Sequence, residues 1–199
     1  LALAWWLSRG PARGRLVVEA LVMLPLVLPP VAIGVAILAL FGRAGLGASL
    51  ASLGLQVVAT WHGAALASAV VALPVFVRVA RTAIDNVDPR LEDQAALLGA
   101  SRLRVLATIT LPLARRGLLA GATLGLARAL GEFGATVLVA GSLPGETQTL
   151  PLAIYSALQT PGGEAAALRL ALLSLSIALA ALLLADWLGR RARRWTARP

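Results

Sequence analysis

Cysteine and lysine are both absent from the 199 residues of this chain. Without cysteine there is no disulfide and no thiolate metal site, and the redox compartment stays open. The single histidine, His62, is too few for a histidine-based metal cluster. Charge is scarce as well: 14% of the residues are Asp, Glu, Lys or Arg, against roughly 25% in a soluble domain. With 59% hydrophobic residues, this scarcity argues against soluble domains and for one all-α membrane domain over residues 1–199.

Four long apolar runs are present, at 16–41, 55–77, 118–140 and 165–188. At the helical rise, each is long enough to cross a hydrocarbon core about 30 Å thick. Residues 1–7 are apolar and lack an initiating Met, and read as the tail of a membrane helix that starts before this sequence rather than as a cleavable signal. The expectation is five crossings, the first truncated.

All the basic residues are arginine, and the net charge is +9. Such a charge raises nucleic acid as a partner, but its placement removes the need for one. Arg9, Arg13 and Arg15 fall in the first loop. Arg78, Arg81, Arg90, Arg102, Arg104, Arg115 and Arg116 lie in or beside the central polar region, and Arg190, Arg191, Arg193, Arg194 and Arg198 lie in the tail. Alternating crossings put these fifteen of eighteen arginines on one side, which the positive-inside bias makes cytoplasmic, C-terminus included. Trp5, Trp6, Trp187 and Trp195 fall near cytoplasmic ends and Trp61 near an outer end, the headgroup level that indole rings favour.

Some apolar runs carry residues that a plain span does not need. The first contains Pro25, Pro29 and Pro30, with Gly34 one turn further on. Proline deletes a backbone donor and clashes with the preceding turn. This predicts either a bent helix beside a translocation path or a passive kink. Gly117, Gly121 and Gly125 form a smooth stripe for close helix packing, against a helix of this chain or of a second subunit. Arg128 and Glu132 follow, four residues apart on one helical face and able to pair. Glu132 lies within about 20° of the Gly125 direction, so both charges should face protein or cavity. Ionisable groups at membrane depth either line a pathway or tie helices together. His62 reads as an ordinary interfacial residue.

The central polar region, about 85–112, reads as a short amphipathic helix held by a return helix. Asp88 can cap it and Pro89 suits its first position. Glu92 and Asp93 favour the positive end of the helix dipole. Leu91, Ala95, Leu98 and Arg102 share a face, Gly99 breaks the helix, Arg102 and Arg104 begin the next, and Pro112 should end or kink that second stretch.

The spacing Asp93-Gln94-Ala95, Gly99, then Ile109-Thr110-Leu111-Pro112 resembles the cytoplasmic coupling loop of bacterial ABC-importer permeases, with Asp93 keeping the charge of the usual Glu and Gln94 replacing the usual Ala. The run from Ala129 to Thr136 is similar to that of molybdate permeases, and Gly131-Glu132-Phe133-Gly134-Ala135 within it is shared with sulfate/thiosulfate permeases. The run Thr147-Gln148-Thr149-Leu150-Pro151-Leu152-Ala153-Ile154-Tyr155 leans toward molybdate. The resemblance covers essentially the whole chain. It implies an all-α, type I, MetI-like helical bundle with a cytoplasmic coupling helix, in the bacterial inner (plasma) membrane.

The implied machine pairs this permease with a second copy of itself, most simply as a homodimer. Two cytoplasmic ABC ATPase subunits and a periplasmic or extracellular molybdate-binding protein complete it, in contact with membrane lipid and no nucleic acid. ATP and Mg belong to the ATPase; the chain has no GxxxxGK[ST] and no catalytic, cofactor or metal residues of its own are expected. The ATPase-coupling residues implied are Leu91, Glu92, Asp93, Gln94, Ala95, Leu98, Gly99, Ser101 and Arg102. The translocation path or gate is assigned to Pro29, Pro30, Arg128, Glu132, Phe133, Gly134 and Thr136. Arg128, partly neutralised by Glu132, suits a weak transit site for a dianion, with Thr136 and the amides near Gly134 as neutral donors. Rival readings are the same importer for tungstate, sulfate or thiosulfate, an ion-coupled secondary transporter using Arg128 and Glu132, and a non-transporting membrane scaffold.

Overall fold

The structure, a computed structural model, describes the backbone of residues 1–196 and the side chains of residues 1–187. Trp195 and the tail arginines from Arg190 onward therefore lie outside the described side chains. Among the described residues every regular element is helical. In chain order they are α1 (Ala2–Arg9), α2 (Arg15–Val27), α3 (Pro30–Phe41), α4 (Gly47–Ser52), α5 (Trp61–Asp85) and α6 (Pro89–Leu97). There follow α7 (Arg102–Val105), a π-turn (Leu106–Thr110), α8 (Leu111–Leu130), α9 (Gly134–Ala140), α10 (Leu150–Leu158) and α11 (Glu164–Thr196).

Among the described residues, three helical stretches are long and apolar enough to cross a membrane: Trp61–Asp85, Arg102–Leu130 and Glu164–Trp187. Along the last, Leu168, Leu172, Leu173 and Leu175 are each more than half exposed. Such a surface needs lipid or another apolar partner around it.

The first apolar run is two helices. α2 and α3 are bent by 116° where Leu28 and Pro29 separate them. The cause is local. Two adjacent prolines remove two backbone donors, and a residue before proline is driven to extended backbone. Pro29 sits at ψ 135° as the cap of α3, and Pro30 occupies the first turn, where its missing N–H costs nothing. The run 118–140 is also interrupted, since α8 ends at Leu130 and α9 starts at Gly134. Pro112, expected to end or kink its stretch, instead lies in the first turn of α8, and the helix runs on through it. The irregularity sits just before it, as the π-turn.

Two compact units make up the described chain. One contains Leu1–Val22 and Val75–Gly125 with the end of α11. Here the glycine stripe finds its partner within the chain. A Cβ on Gly117 would stand 2.5 Å from the Ala83 Cβ, and one on Gly121 would stand 3.2 Å from the Val79 Cβ. The stripe therefore lets α8 lie against the second half of α5.

The other unit contains Met23–Pro74 and Leu126–Ala180. Its core joins Ile33 and Ile37 of α3, Ala67 and Val71 of α5, and Ala135 and Val139 of α9. A Cβ on Gly34 would meet the Ala135 Cα at 3.1 Å, so α3 and α9 cross closely there.

Candidate functional site

The first group of candidate residues lies on α6 and the turn after it. Asp88 caps α6 by accepting from the Arg90 N–H at 2.9 Å, and Pro89 takes the first helical position. At the other end Gly99 has φ +85°, the left-handed region that glycine enters without steric cost. Its N–H donates to the Ala96 carbonyl at 2.9 Å and the Ala100 N–H donates to the Ala95 carbonyl at 3.0 Å, a closed Schellman end. Ser101 then caps α7, accepting from the Arg104 N–H at 3.4 Å. A nine-residue helix is thus stopped at both ends by its own sequence.

Of the nine residues expected to contact a partner, Leu91, Asp93, Gln94, Leu98, Gly99, Ser101 and Arg102 are exposed. Leu97, Leu98 and Leu103 present apolar side chains at 87%, 89% and 79% exposure. Glu92 and Ala95 turn inward instead. One carboxylate oxygen of Glu92 accepts from Arg9 Nε at 2.9 Å and the other from Thr110 Oγ1 at 2.7 Å. Arg9 and Thr110 were not singled out from sequence. Thr110 lies inside the Ile109–Pro112 run that was recognised, but nothing local marks Arg9, whose role depends on contacts about 80 residues away.

The second group lies where α8 gives way to α9. Arg128 Nη1 donates to Glu132 Oε2 at 3.2 Å, so the expected pair forms. Glu132 is 2% exposed, and its other oxygen accepts from the Ala135 N–H at 2.9 Å. The carboxylate therefore also caps α9, which explains how the chain can break here: an orphan amide of the new helix finds a charged acceptor. Thr136 is completely buried, and its hydroxyl donates to the Glu132 and Phe133 carbonyls at 3.1 and 2.9 Å. That hydroxyl and the Ala135 amide, expected as donors along a path, are committed to the first turn of α9. Arg128, by contrast, leaves 36% of its side chain open.

Pro29 and Pro30 are brought to the same place. A Cβ on Gly134 would lie 3.1 Å from the Pro30 Cβ, so the start of α9 touches the start of α3. Phe133 packs edge-on against Tyr155 with ring centroids 5.2 Å apart. Two interrupted helices thus meet beside the Arg128–Glu132 pair. Irregular backbone at membrane depth is tolerated only where protein or a water-lined cavity satisfies it, and here the Glu132 carboxylate supplies part of that satisfaction.

Residues 1–194 match the family described as binding-protein-dependent transport system inner membrane component. The chain belongs to this family. It is accordingly a permease component rather than an enzyme, and a protein of the inner membrane. Among its relatives, the molybdenum transport system permease protein ModB of Haemophilus influenzae is 48% identical over 96% of this chain and 84% of its own length. The protein of the same name from Escherichia coli K12 is 45% identical over the same shares. A sulfate transport system permease protein, CysW of Synechocystis sp., is 38% identical over 87% of this chain and 64% of its own length.

Proposed function

We propose that this chain is the membrane-spanning subunit of an ATP-driven importer that moves molybdate into the cytoplasm. One observation carries the substrate: the similarity to two molybdenum permeases extends over nearly the whole chain at 45–48% identity. A sulfate permease is related at 38%, which makes the same machine working on sulfate the second reading. In the proposed assembly two copies of the chain form the pore, and a binding protein delivers the anion at the outer face. Two ATPase subunits dock from the cytoplasm, where the C-terminus also lies, and hold the ATP and Mg.

The docking element is α6 with its following turn. Its support is physical: the exposed Leu97 and Leu98 at the end of this short, doubly capped helix, with Leu103 at the start of α7, offer an apolar contact rimmed by the charges of Asp93 and Arg102. The path is assigned to the two helix breaks, Pro29–Pro30 and Arg128–Thr136. Arg128, whose side chain is partly exposed, offers a dianion positive charge, and Glu132 beside it weakens the attraction, as transit rather than storage requires.

Uptake by proteoliposomes holding the chain, its ATPase and its binding protein tests the reading. ATP-dependent accumulation of labelled molybdate, outcompeting sulfate, is the expected result. Accumulation driven by an ion gradient without ATP would replace the reading with a secondary transporter, and sulfate preference would replace the substrate.

A further inference from the structure

α6 has no buried residue, so apolar packing does not anchor it. An open cavity of about 380 Å³, lined by Trp5, Arg9, Glu92, Asp93, Arg102 and Thr110 among others, runs alongside it. What does hold its body is the Glu92 carboxylate. One oxygen is bound by Arg9, the last residue of α1, and the other by Thr110, the last residue of the π-turn. The Glu92 and Arg9 side chains are only 15% and 19% exposed, and Thr110 is 1% exposed.

Arg9 makes further bonds. Its Nη2 donates to the Ile84 carbonyl at 3.1 Å and to the Val87 carbonyl at 2.9 Å, at the C-terminal end of α5 and the turn after it. Asp85, beside them, accepts from Ser8 Oγ at 2.5 Å and lies 3.6 Å from Arg81, which pairs with Glu19 of α2 at 2.6 Å. The guanidinium is a planar fork that holds several acceptors in fixed directions. Apolar contact is non-directional and lets a surface helix roll or slide; charge-assisted hydrogen bonds do not. The π-turn itself belongs to a class of helix irregularity often found at functional sites, and it sits where Thr110 meets Glu92.

We propose that Arg9 and Thr110 are positioning residues for energy coupling: acting through Glu92, they make α6 move as one piece with the ends of α1 and α5 and with the π-turn. A push on the exposed face of α6 is then delivered to those elements instead of being lost as a roll of α6. This inference rests on the reading of the chain as an ATP-driven importer with α6 as its docking helix.

The test uses the complete transporter in proteoliposomes and measures molybdate taken up per ATP hydrolysed, a ratio that a change in the amount of folded protein leaves unmoved. Arg9→Gln and Glu92→Gln should each lower the ratio by between about 5-fold and 150-fold, the usual range of a coupling free energy. The double variant should be no worse than the poorer single, because both remove the same contact. Thr110→Val keeps the shape and loses the donor, and should lower the ratio as well, whereas Thr110→Ser should keep it. If the Arg9 or Glu92 variants do not assemble with the ATPase, the Thr110 pair carries the test. An unchanged ratio in Thr110→Val, an equal loss in Thr110→Ser, or multiplying losses in the Arg9 and Glu92 double variant overturns the proposal. If the wild-type vesicles themselves show no ATP-driven uptake, the importer reading has failed instead.

Discussion

Replacing Gly117 by Ala adds one Cβ atom to α8, at a point 2.5 Å from the Ala83 Cβ of α5. Two carbons rest comfortably at about 3.5–4.0 Å, so the shortfall exceeds about 1 Å. Neither Cβ can rotate away, and the helices must separate locally. Overpacking of this kind costs about 1–3 kcal/mol, here at the upper end. Removing a glycine from a helix interior returns about 1 kcal/mol, which leaves Gly117→Ala about 2 kcal/mol less stable. Ala83→Gly alone costs about 1 kcal/mol for the same propensity reason. In the double variant the clash is gone and the propensity terms cancel, so stability should return to near wild type, a coupling of about 3 kcal/mol. Gly121→Ala is the internal comparison. Its Cβ would lie 3.2 Å from Val79, a shortfall of a few tenths of an ångström, and it should be nearly neutral. Thermal unfolding of the purified chain in detergent, followed by tryptophan fluorescence, reads the differences; about 2 kcal/mol corresponds to about 4–8 °C for a chain of this size. Additive effects of Gly117→Ala and Ala83→Gly would refute the close approach of α8 and α5 and leave the glycine stripe available to a second subunit.

Three further outcomes are expected. At Gly99, φ +85° with open space around the Cβ position makes backbone strain the only penalty within the chain; Gly99→Asn should be tolerated, Gly99→Val should cost about 1–2 kcal/mol, and Gly99→Asp, which adds a negative charge to the proposed docking face, should abolish the ATP hydrolysis stimulated by the loaded binding protein while the chain stays in the membrane. Glu132→Gln keeps an acceptor for the Ala135 N–H but leaves Arg128 without its counter-charge. It should slow molybdate turnover at saturation while lowering the concentration for half-maximal uptake, with ATPase co-purification unchanged; reduced folded yield as the sole effect would assign Glu132 a purely structural role. Glu132→Ala also removes the cap on α9 and leaves the buried Ala135 N–H unpaired, which should lower stability by about 1–3 kcal/mol, read as loss of monodisperse protein on gel filtration.

Much of the docking helix was legible in the sequence because its signals are local. Asp88-Pro89 starts a helix, Gly99 ends one, and Ser101 starts the next, and each needs only a few neighbouring backbone groups to act. The Arg128–Glu132 pair was legible for the same reason, since residues four apart are neighbours on a helix. The break between Leu130 and Gly134 was not. Apolar residues continue through it, so hydropathy reads one span, while the break depends on where the Glu132 carboxylate finds its donors. The inward turn of Glu92 was hidden likewise: a Glu in the first turn of an exposed helix looks like a partner contact until its neighbours in space are known.

By itself, the sequence determined that this is a helical membrane chain with a doubly capped polar helix between its apolar runs. Composition and short-range backbone chemistry suffice for that, because a bilayer admits few ways to satisfy a backbone and caps act within a turn. Only the tertiary structure decided which helix the glycine stripe faces and that Glu92 binds Arg9 and Thr110. Each of these turns on which donor or surface lies within a few ångströms after folding, and residues 18 to 83 positions apart in the chain carry no local mark of that proximity.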